Sequence, residues 1–278
     1  MTTIQNHVTE HPDLAVVKDR QQRTWSAGDY AIVGATLQIV GEQLCETADL
    51  RPGQRVLDVA TGNGGTAIAA ARRFCVVTGA DYVPELLERA RDRARAERFT
   101  ITFDEADAEA LPYPDASFDA VISTFGVMFT ADHERAAAEL VRVCRPGGVI
   151  AMSNWAPDGF IGRLFKTIGA HNPPPAGVAS PLLWGTDDHV RRLLGAGIAD
   201  MRVVRREFVF RYRSAEHFLE VFRTYYGPML KAFEALADDG REALAADIHG
   251  LLDEMNTSSE HLIIPSAYLE IVATRSTS

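Results

Sequence analysis

The fold of this chain is decided by one stretch, Arg55-Val-Leu-Asp-Val-Ala-Thr-Gly-Asn-Gly-Gly-Thr-Ala-Ile-Ala-Ala-Ala71. Residues 56–59 are mostly apolar and form a run that is short enough for a buried strand. Gly62, Gly64 and Gly65 follow that run, and the alanines after them favour a helix. The stretch therefore predicts a strand, a glycine-rich turn and a helix whose first N–H groups face a bound ligand.

A carboxylate stands inside the predicted strand, at Asp58, and burying such a charge is costly unless a polar group meets it. The pattern Gly62-x-Gly64-x-x-Ala67 fits the dinucleotide fingerprint, and Asp81 follows about twenty positions later, which favours an NAD-linked oxidoreductase. However, Asp58 would repel a pyrophosphate at the start of the helix. A cationic ligand, such as a sulfonium or an amino acid ammonium group, would tolerate it.

Strand and helix patterns alternate five times between residues 55 and 153. Such alternation predicts parallel strands with right-handed crossovers and a doubly wound α/β fold. Ligands of these sheets bind beyond the carboxyl ends of the strands. Because Asp58, Gly62 and Asp81 all fall at that edge, we expect the ligand there.

The chain on either side of this core is less regular. The polar composition of residues 1–24 predicts little order. A helical pattern then runs from Ile32 to Leu44. Beyond Trp155 we predict helices at 160–168, 187–194, 214–236 and 241–255, and strands at 201–212 and 267–273. The predicted parts are N-terminal lid helices in 1–50, a ligand-binding core in 51–155, and the remaining sheet with inserted cap helices around 214–255 in 156–278.

Composition limits the classes of function. The formal net charge of the 278 residues is −10, which disfavours nucleic-acid substrates because phosphate backbones are also negative. No apolar run approaches the roughly 20 residues that span a bilayer, and the first residues do not resemble a signal peptide. Cys45, Cys75 and Cys144 are far apart in the chain, so we predict no metal site and a cytoplasmic protein with reduced thiols.

Several motifs occur in a fixed order along residues 50–155. They are Val56-Leu-Asp-Val-Ala-Thr-Gly-Asn-Gly64, Gly79-Ala-Asp81-Tyr82, Asp107-Ala-Glu-Ala-Leu-Pro112 with Ser117-Phe-Asp119, and Leu140-Val-Arg-Val-Cys-Arg-Pro-Gly-Gly148. In this order and spacing the chain resembles the class I S-adenosylmethionine-dependent methyltransferases. It is most similar to the small-molecule branch that includes the ubiquinone/menaquinone C-methyltransferases. Thr66 departs from the pattern, because many members have another glycine there.

The resemblance implies a mostly parallel seven-stranded sheet with a helical cap, and S-adenosylmethionine as the cofactor. The backbone of the turn, at Ala60, Gly62, Asn63 and Gly64, would line the methionine part of that cofactor. Asp58 would lie near its ammonium group.

The same resemblance places the adenosine part and the methyl group. Asp81 would bind both ribose hydroxyls, and Tyr82 would flank the adenine. Asp107 would accept a hydrogen bond from the adenine amino group, with Ala108 beside it. Thr124, just after the fourth strand, would lie near the methyl group.

The implied chemistry is methyl transfer to a nucleophile by in-line displacement, which needs a base only if the acceptor must lose a proton. His133 follows the fourth strand and is the candidate base. The alternative, which the residues favour, is a surface histidine at a helix start beside Asp132. Trp25 and Tyr30 are candidates for an aromatic lid over the ligand, although the residues alone favour core packing.

The acceptor site is expected in the segments outside the core motifs. Aromatic residues in 155–184 and 214–255 predict a small, apolar or aromatic methyl acceptor. We expect no nucleic-acid partner and no membrane span, and we leave open whether the protein forms a homodimer. A third hypothesis is a cofactor-binding interaction subunit that has lost activity, but the cofactor motifs show no sign of decay.

Overall fold

The computed structural model describes residues 13–175 and 177–277, which form a seven-stranded sheet flanked by helices. The strands are β1 (Arg55–Val59), β2 (Val76–Asp81), β3 (Thr102–Glu105), β4 (Phe118–Thr124), β5 (Cys144–Trp155), β6 (Ile198–Tyr212) and β7 (Leu262–Arg275). Their order across the sheet is β3-β2-β1-β4-β5-β7-β6. Strands β1 to β5 pair in parallel, and β7 is antiparallel to β5 and β6. The predicted doubly wound, mostly parallel sheet is confirmed.

Helices cover both faces of this sheet. They are α1 (Leu14–Trp25), α2 (Tyr30–Gly34), α3 (Gln38–Thr47), α4 (Gly65–Ala71), α5 (Pro84–Ala96), α6 (His133–Val143), α7 (Phe160–His171), α8 (Asp187–Leu194), α9 (Ala215–Tyr225), α10 (Gly227–Glu234) and α11 (Asp238–Met255). Short 3₁₀ turns occur at Ala35–Leu37, Val127–Phe129, Pro181–Gly185 and Gly195–Gly197. Helices α9 to α11 lie between β6 and β7 in the chain, and the predicted division into three parts stays a prediction.

Strand β1 lies near the middle of the sheet and is covered on both faces. Leu57 and Val59 belong to one hydrophobic core, and Val56 belongs to the other, which α4 also lines. All three side chains are fully buried. Because side chains alternate along a strand, Asp58 shares the face of Val56 and therefore lies on the α4 side of the sheet.

The N-terminal segment is more ordered than the sequence predicted. Residues 14–25 form helix α1, which begins after Asp13, whose Oδ1 accepts a hydrogen bond from the N–H of Ala15 at 3.0 Å. Val17 is the one residue of this helix that is buried, so the segment has no apolar period that would have predicted it. The first part of the predicted unordered segment, residues 1–12, lies outside the described residues.

The single helix predicted over 214–236 is two helices, α9 and α10. Tyr226 has an extended ψ of 103°, and Pro228, which has no N–H to donate, follows in the first turn of α10. A side chain at Gly227 is excluded because its Cβ would lie 2.0 Å from the carbonyl oxygen of Thr24. The aromatic stripe had suggested one continuous helix, but this Gly-Pro pair interrupts it.

Gly185 and Gly169 provide a matched test of packing. A Cβ at Gly185 would lie 1.9 Å from the carbonyl oxygen of Trp155, whereas a Cβ at Gly169, inside α7, would have no heavy atom within 4 Å. We expect Gly185→Ala to lower the free energy of unfolding by roughly 1–3 kcal/mol through overpacking. Gly169→Ala should raise it by about 0.5–1 kcal/mol because alanine is the better helix former. Urea unfolding measures both, and shifts of the same sign would contradict this account.

Candidate active site

A cavity opens at the carboxyl edge of the parallel strands, where β1, β2 and β4 end. It contains about 1050 Å³ of empty space, part of which is open to solvent. The predicted cofactor-binding residues that line it are Trp25, Tyr30, Ala60, Gly62, Asn63, Asp81, Tyr82, Asp107, Ala108 and Thr124. Asp58, Gly64 and His133 do not line it. Among the described residues, no group of three or more metal-type ligands occurs.

The glycine turn presents its backbone to the cavity. Gly62 and Gly64 have φ angles of +54° and +77°, in the left-handed region that favours glycine. A Cβ at Gly64 would also lie 2.9 Å from the Cβ of Ala90 in α5. From the same helix, Arg93 donates a hydrogen bond to the carbonyl oxygen of Asn63 at 2.8 Å. Gly64 thus lets the turn approach α5, while Gly62 and Asn63 face the cavity.

The carboxyl group of Asp58 lies beneath this turn. It accepts hydrogen bonds from the hydroxyl of Thr61 at 2.6 Å and from the N–H of Ala67 in the first turn of α4. The N-cap residue of α4, Gly64, has no side chain to accept from that helix start, so Asp58 supplies the acceptor. Burial raises the pKa of Asp58 to about 7, although its hydrogen bonds act in the opposite direction. The sequence had predicted a position beside an ammonium group, whereas this carboxyl group supports the turn.

Asp81 ends β2 with its carboxylate at the cavity. One carboxylate oxygen accepts a hydrogen bond from the N–H of Gly62 at 2.8 Å, and the other accepts from the N–H of Val83 at 3.0 Å. Burial raises the pKa of Asp81 to about 6 against the effect of these N–H groups. The N–H of Tyr82 is a third donor to this carboxylate, which has about four lone-pair sites and so can still accept from a ligand.

Asp107 lies after β3 and is already paired with a cation. Its Oδ1 accepts a hydrogen bond from the N–H of Glu109 at 2.9 Å, and its Oδ2 lies 2.6 Å from the Nζ of Lys18 in α1. The same ammonium group lies 2.6 Å from the Oε2 of Glu109. Asp107 therefore lies on the cavity wall and forms an ion pair there with Lys18 of the N-terminal helix.

Thr66, which departs from the family pattern, connects two elements of the site. Its hydroxyl donates a hydrogen bond to the hydroxyl of Thr124 at 2.8 Å and so joins α4 to the end of β4. Gly41 in α3 makes room for it, because a Cβ there would lie 2.8 Å from the Thr66 hydroxyl. Both threonines line the cavity.

Aromatic rings form another part of the cavity wall, and the ring of Tyr30 lies beside Gly62 of the glycine turn. The ring of Trp25 lies 4.8 Å from that of Phe129, 5.6 Å from that of Tyr30 and 5.7 Å from that of Tyr226, all edge to face. The rings of Trp25 and Tyr30 pack on each other and also line the cavity, and their role as an aromatic lid over a ligand stays a prediction. Burial, helped by the charge of Asp81, raises the pKa of Tyr30 to about 12, so its phenol keeps its proton at neutral pH.

His133 is the first residue of α6, and it is buried outside the cavity. Its Nδ1 lies 3.0 Å from the Nε2 of His189, and its ring lies beside that of Trp184. Burial, followed by the effect of His189, lowers the pKa of His133 to about 4. This position differs from both sequence-based alternatives, since the residue is neither on the surface nor at the cavity wall.

Three residues that shape the site were missed in the sequence. Lys18 falls in the polar segment that predicted little order, and Arg93 is one of four arginines in α5, where interleaved acids are typical of a solvated helix face. Glu109 did have a signal, because it is a second acid two positions after Asp107 in the same loop.

Comparison with known proteins identifies the family. Residues 57–152 match the family model of a methyltransferase domain. An uncharacterised protein of Mycobacterium tuberculosis is 42% identical over 220 residues, which cover 78% of this chain and 80% of that protein. The demethylmenaquinone methyltransferase of Deinococcus radiodurans is 43% identical over 128 residues, 45% of this chain and 53% of that protein. The crystal structure of the YcgJ protein of Bacillus subtilis shares the fold, with a TM-score of 0.60 and 18% identity over 88% of this chain and 100% of that one.

The charges of the cavity agree with these matches. Among the described residues that line it, Lys18 is the one basic side chain, and it is paired with two carboxylates. A pyrophosphate would therefore find no free cation here, whereas the buried carboxylate of Asp81 suits a ligand with hydroxyl donors and positive charge. Together with the methyltransferase match, these charges favour S-adenosylmethionine over the NAD-linked alternative. The chain belongs to the class I S-adenosylmethionine-dependent methyltransferases and is similar to the quinone methyltransferases among them.

Proposed function

We propose that this enzyme methylates a small molecule that is apolar or aromatic. The observation that carries the proposal is the aromatic wall of the cavity, where Trp25, Tyr30 and Phe129 lie together with Phe125 and Leu37. Such rings bind flat apolar molecules and keep water away from them. The similarity to the Deinococcus radiodurans enzyme, whose name gives demethylmenaquinone as its substrate, supports the same direction.

We propose that the cofactor lies along the carboxyl edge of β1, β2 and β3. Asp81 would accept hydrogen bonds from both ribose hydroxyls, and Asp107 would accept one from the adenine amino group beside Ala108 and Tyr82. The exposed backbone of the glycine turn would meet the methionine part, which brings the methyl group toward Thr124 and the aromatic wall. Asp58 would act on binding through the turn that it supports.

S-adenosylmethionine supplies a methyl group on a sulfonium, and the acceptor displaces the sulfur in line. The work of this chain is to align the two molecules and to exclude water. No histidine lines the cavity among the described residues, and Tyr30 can donate a hydrogen bond but does not take up a proton at neutral pH. An acceptor whose nucleophilic atom ionises readily, such as a phenol or hydroquinone, suits these groups.

We also propose a cytoplasmic location, because Cys45, Cys75 and Cys144 are all free thiols. None of the helices among the described residues has both the length and the apolar character needed to cross a membrane. Homodimer formation stays a prediction.

A screen of acceptors tests the proposal. Purified protein is incubated with S-adenosylmethionine and size-matched acceptors, either phenols and hydroquinones or charged non-aromatic amines and acids, and S-adenosylhomocysteine is measured. We expect turnover with the aromatic set. Phe129→Ala should lower kcat/KM about tenfold, since Phe129 is half-buried and covering its ring fully with the acceptor is worth up to roughly 1.5–3 kcal/mol. Phe74→Ala, which removes a ring that is 76% exposed, is the control. Turnover only with the charged set would refute the proposal.

The pKa of Asp81 predicts how cofactor binding depends on pH. The ionised carboxylate accepts the ribose hydrogen bonds, and its pKa of about 6 means that this form is lost as pH falls below that value. We expect the affinity for S-adenosylhomocysteine to be constant well above pH 6 and to fall by up to about tenfold per pH unit below it. In Asp81→Asn the affinity should be lower, and the pH dependence should weaken. Calorimetry between pH 5 and pH 8 gives both values, and identical curves for the two proteins would contradict the assignment.

The position of His133 predicts a structural rather than a catalytic effect. A general base contributes about 10²–10⁴-fold to a rate. We expect His133→Gln to change kcat by much less than that, and to lower the free energy of unfolding by about 1–3 kcal/mol because its bond to His189 is disturbed. Steady-state kinetics with any acceptor from the screen, together with urea unfolding, separates the two effects. His189→Gln is the matched control, and a hundredfold loss of kcat in His133→Gln alone would restore it as the base.

A further inference from the structure

Helix α1 closes one side of the cavity, and its apolar contacts are concentrated at Val17 and at its last residue, Trp25. Lys18, Gln21 and Trp25 are three and four positions apart, so one face of the helix lines the cavity. Val17 is the one residue of α1 that is buried, while Val16 is 62% exposed. A helix of 12 residues is marginal by itself, so polar contacts must contribute to holding it in place.

Those polar contacts are made with loops of the cavity itself. The ammonium group of Lys18 lies 2.6 Å from a carboxylate oxygen of Asp107 and 2.6 Å from one of Glu109. One turn further along the helix, the side-chain amide of Gln22 donates a hydrogen bond to the carbonyl oxygen of Tyr82. The anchors of α1 therefore lie at the part of the site proposed for adenosine.

Glu109 extends this contact to the loop before α6. Its side chain is only 2% exposed, and its Oε1 accepts hydrogen bonds from the N–H groups of Ala131 at 2.7 Å and Asp132 at 2.9 Å. In the described part of the chain, Lys18 is the one side chain that forms an ion pair with Glu109 or with Asp107. Burial lowers the pKa of Lys18, but the two carboxylates outweigh this effect and raise it, so the ammonium group stays charged.

We propose that Lys18 holds α1 closed as a lid over the adenosine part of the bound cofactor and sets the rate at which the cofactor leaves. The inference rests on the proposed placement of the adenine beside Asp107. In that placement one carboxylate binds both the lid and the ligand. Because Trp25 lies at the other end of the same helix, release of Lys18 also loosens the aromatic wall of the acceptor site.

The test compares the dissociation of radiolabelled S-adenosylhomocysteine from the wild type, Lys18→Met and Arg23→Met. Arg23 lies on the same helix, is exposed, and pairs with Asp19 away from the cavity, so its variant makes the same change of net charge. Dissociation is followed by a chase with unlabelled compound at about 0.05 M and 0.5 M salt.

We expect Lys18→Met to release the compound at least about tenfold faster than the wild type. Its rate should be insensitive to salt, whereas the rates of the wild type and Arg23→Met should rise with salt as the ion pairs are screened. Hydrogen exchange over residues 14–25 should be slowed by the compound in the wild type and in Arg23→Met, but not in Lys18→Met. Equal dissociation rates in the two variants would overturn the proposal.

A second variant separates the lid from a disturbed loop. Lys18→Met leaves the buried carboxylate of Glu109 without its cation, and that alone could alter the site. In Lys18→Met/Glu109→Gln the charge is absent, while the glutamine oxygen can still accept from Ala131 and Asp132. The proposal expects this double variant to release the compound as fast as Lys18→Met, and a return to the wild-type rate would refute it.

The wild type separates the two proposals. If it fails to bind S-adenosylhomocysteine, the cofactor placement is refuted, and the lid with it. If it binds and Lys18→Met behaves like Arg23→Met, only the lid is refuted.

Discussion

The carboxyl group of Asp58 beneath the glycine turn is the interaction on which the site depends. The N-cap position of helix α4 must be a glycine, Gly64, because a side chain there would collide with Ala90 and the backbone has a φ of +77°. A helix that starts with glycine lacks a side chain to accept from its first N–H groups, and leaving such a group buried and unpaired costs about 1–3 kcal/mol. Asp58, on strand β1 beneath the turn, accepts a hydrogen bond from the N–H of Ala67. The other side of the turn therefore remains free for a ligand.

The parallel register of the strands concentrates negative charge at one edge. Asp58 pairs in register with Gly79, and Asp81 pairs with Glu105, so each strand brings its acid to the same end of the sheet. Burial is the first cause of the raised pKa values of Asp58 and Asp81, which means that their surroundings disfavour the charged forms. A bound positive charge would relieve that cost. Negative charge also explains the lysine in the helix that covers this edge, because Lys18 of α1 pairs with Asp107 and Glu109.

Much of this architecture could be predicted because it follows from local patterns. Buried parallel strands leave short apolar runs, and the residues that end such strands must meet at one edge, which predicted the places of Asp81 and the glycine turn. Asp107 was predicted from the family resemblance. The contacts that the sequence did not predict depend on residues that are far apart in the chain. Lys18 meets Asp107 across 89 positions and His133 meets His189 across 56, and neither pair belongs to an apolar period. The side chain of Asp58 is directed toward the start of α4 and not into the cavity, and this likewise depends on where α4 begins.

The position of β7 has a consequence for how the protein is made. This strand lies between β5 and β6, and β6 pairs with no other strand in the described chain. During synthesis β6 therefore emerges before its partner and carries an unpaired edge until β7 has left the ribosome, while β1 to β4 can already pair. An open edge of 15 residues invites pairing with another chain, so a polypeptide that stops short of β7 should aggregate rather than fold partially. Completion of the sheet is thus a late event that closes the half of the molecule opposite the cofactor.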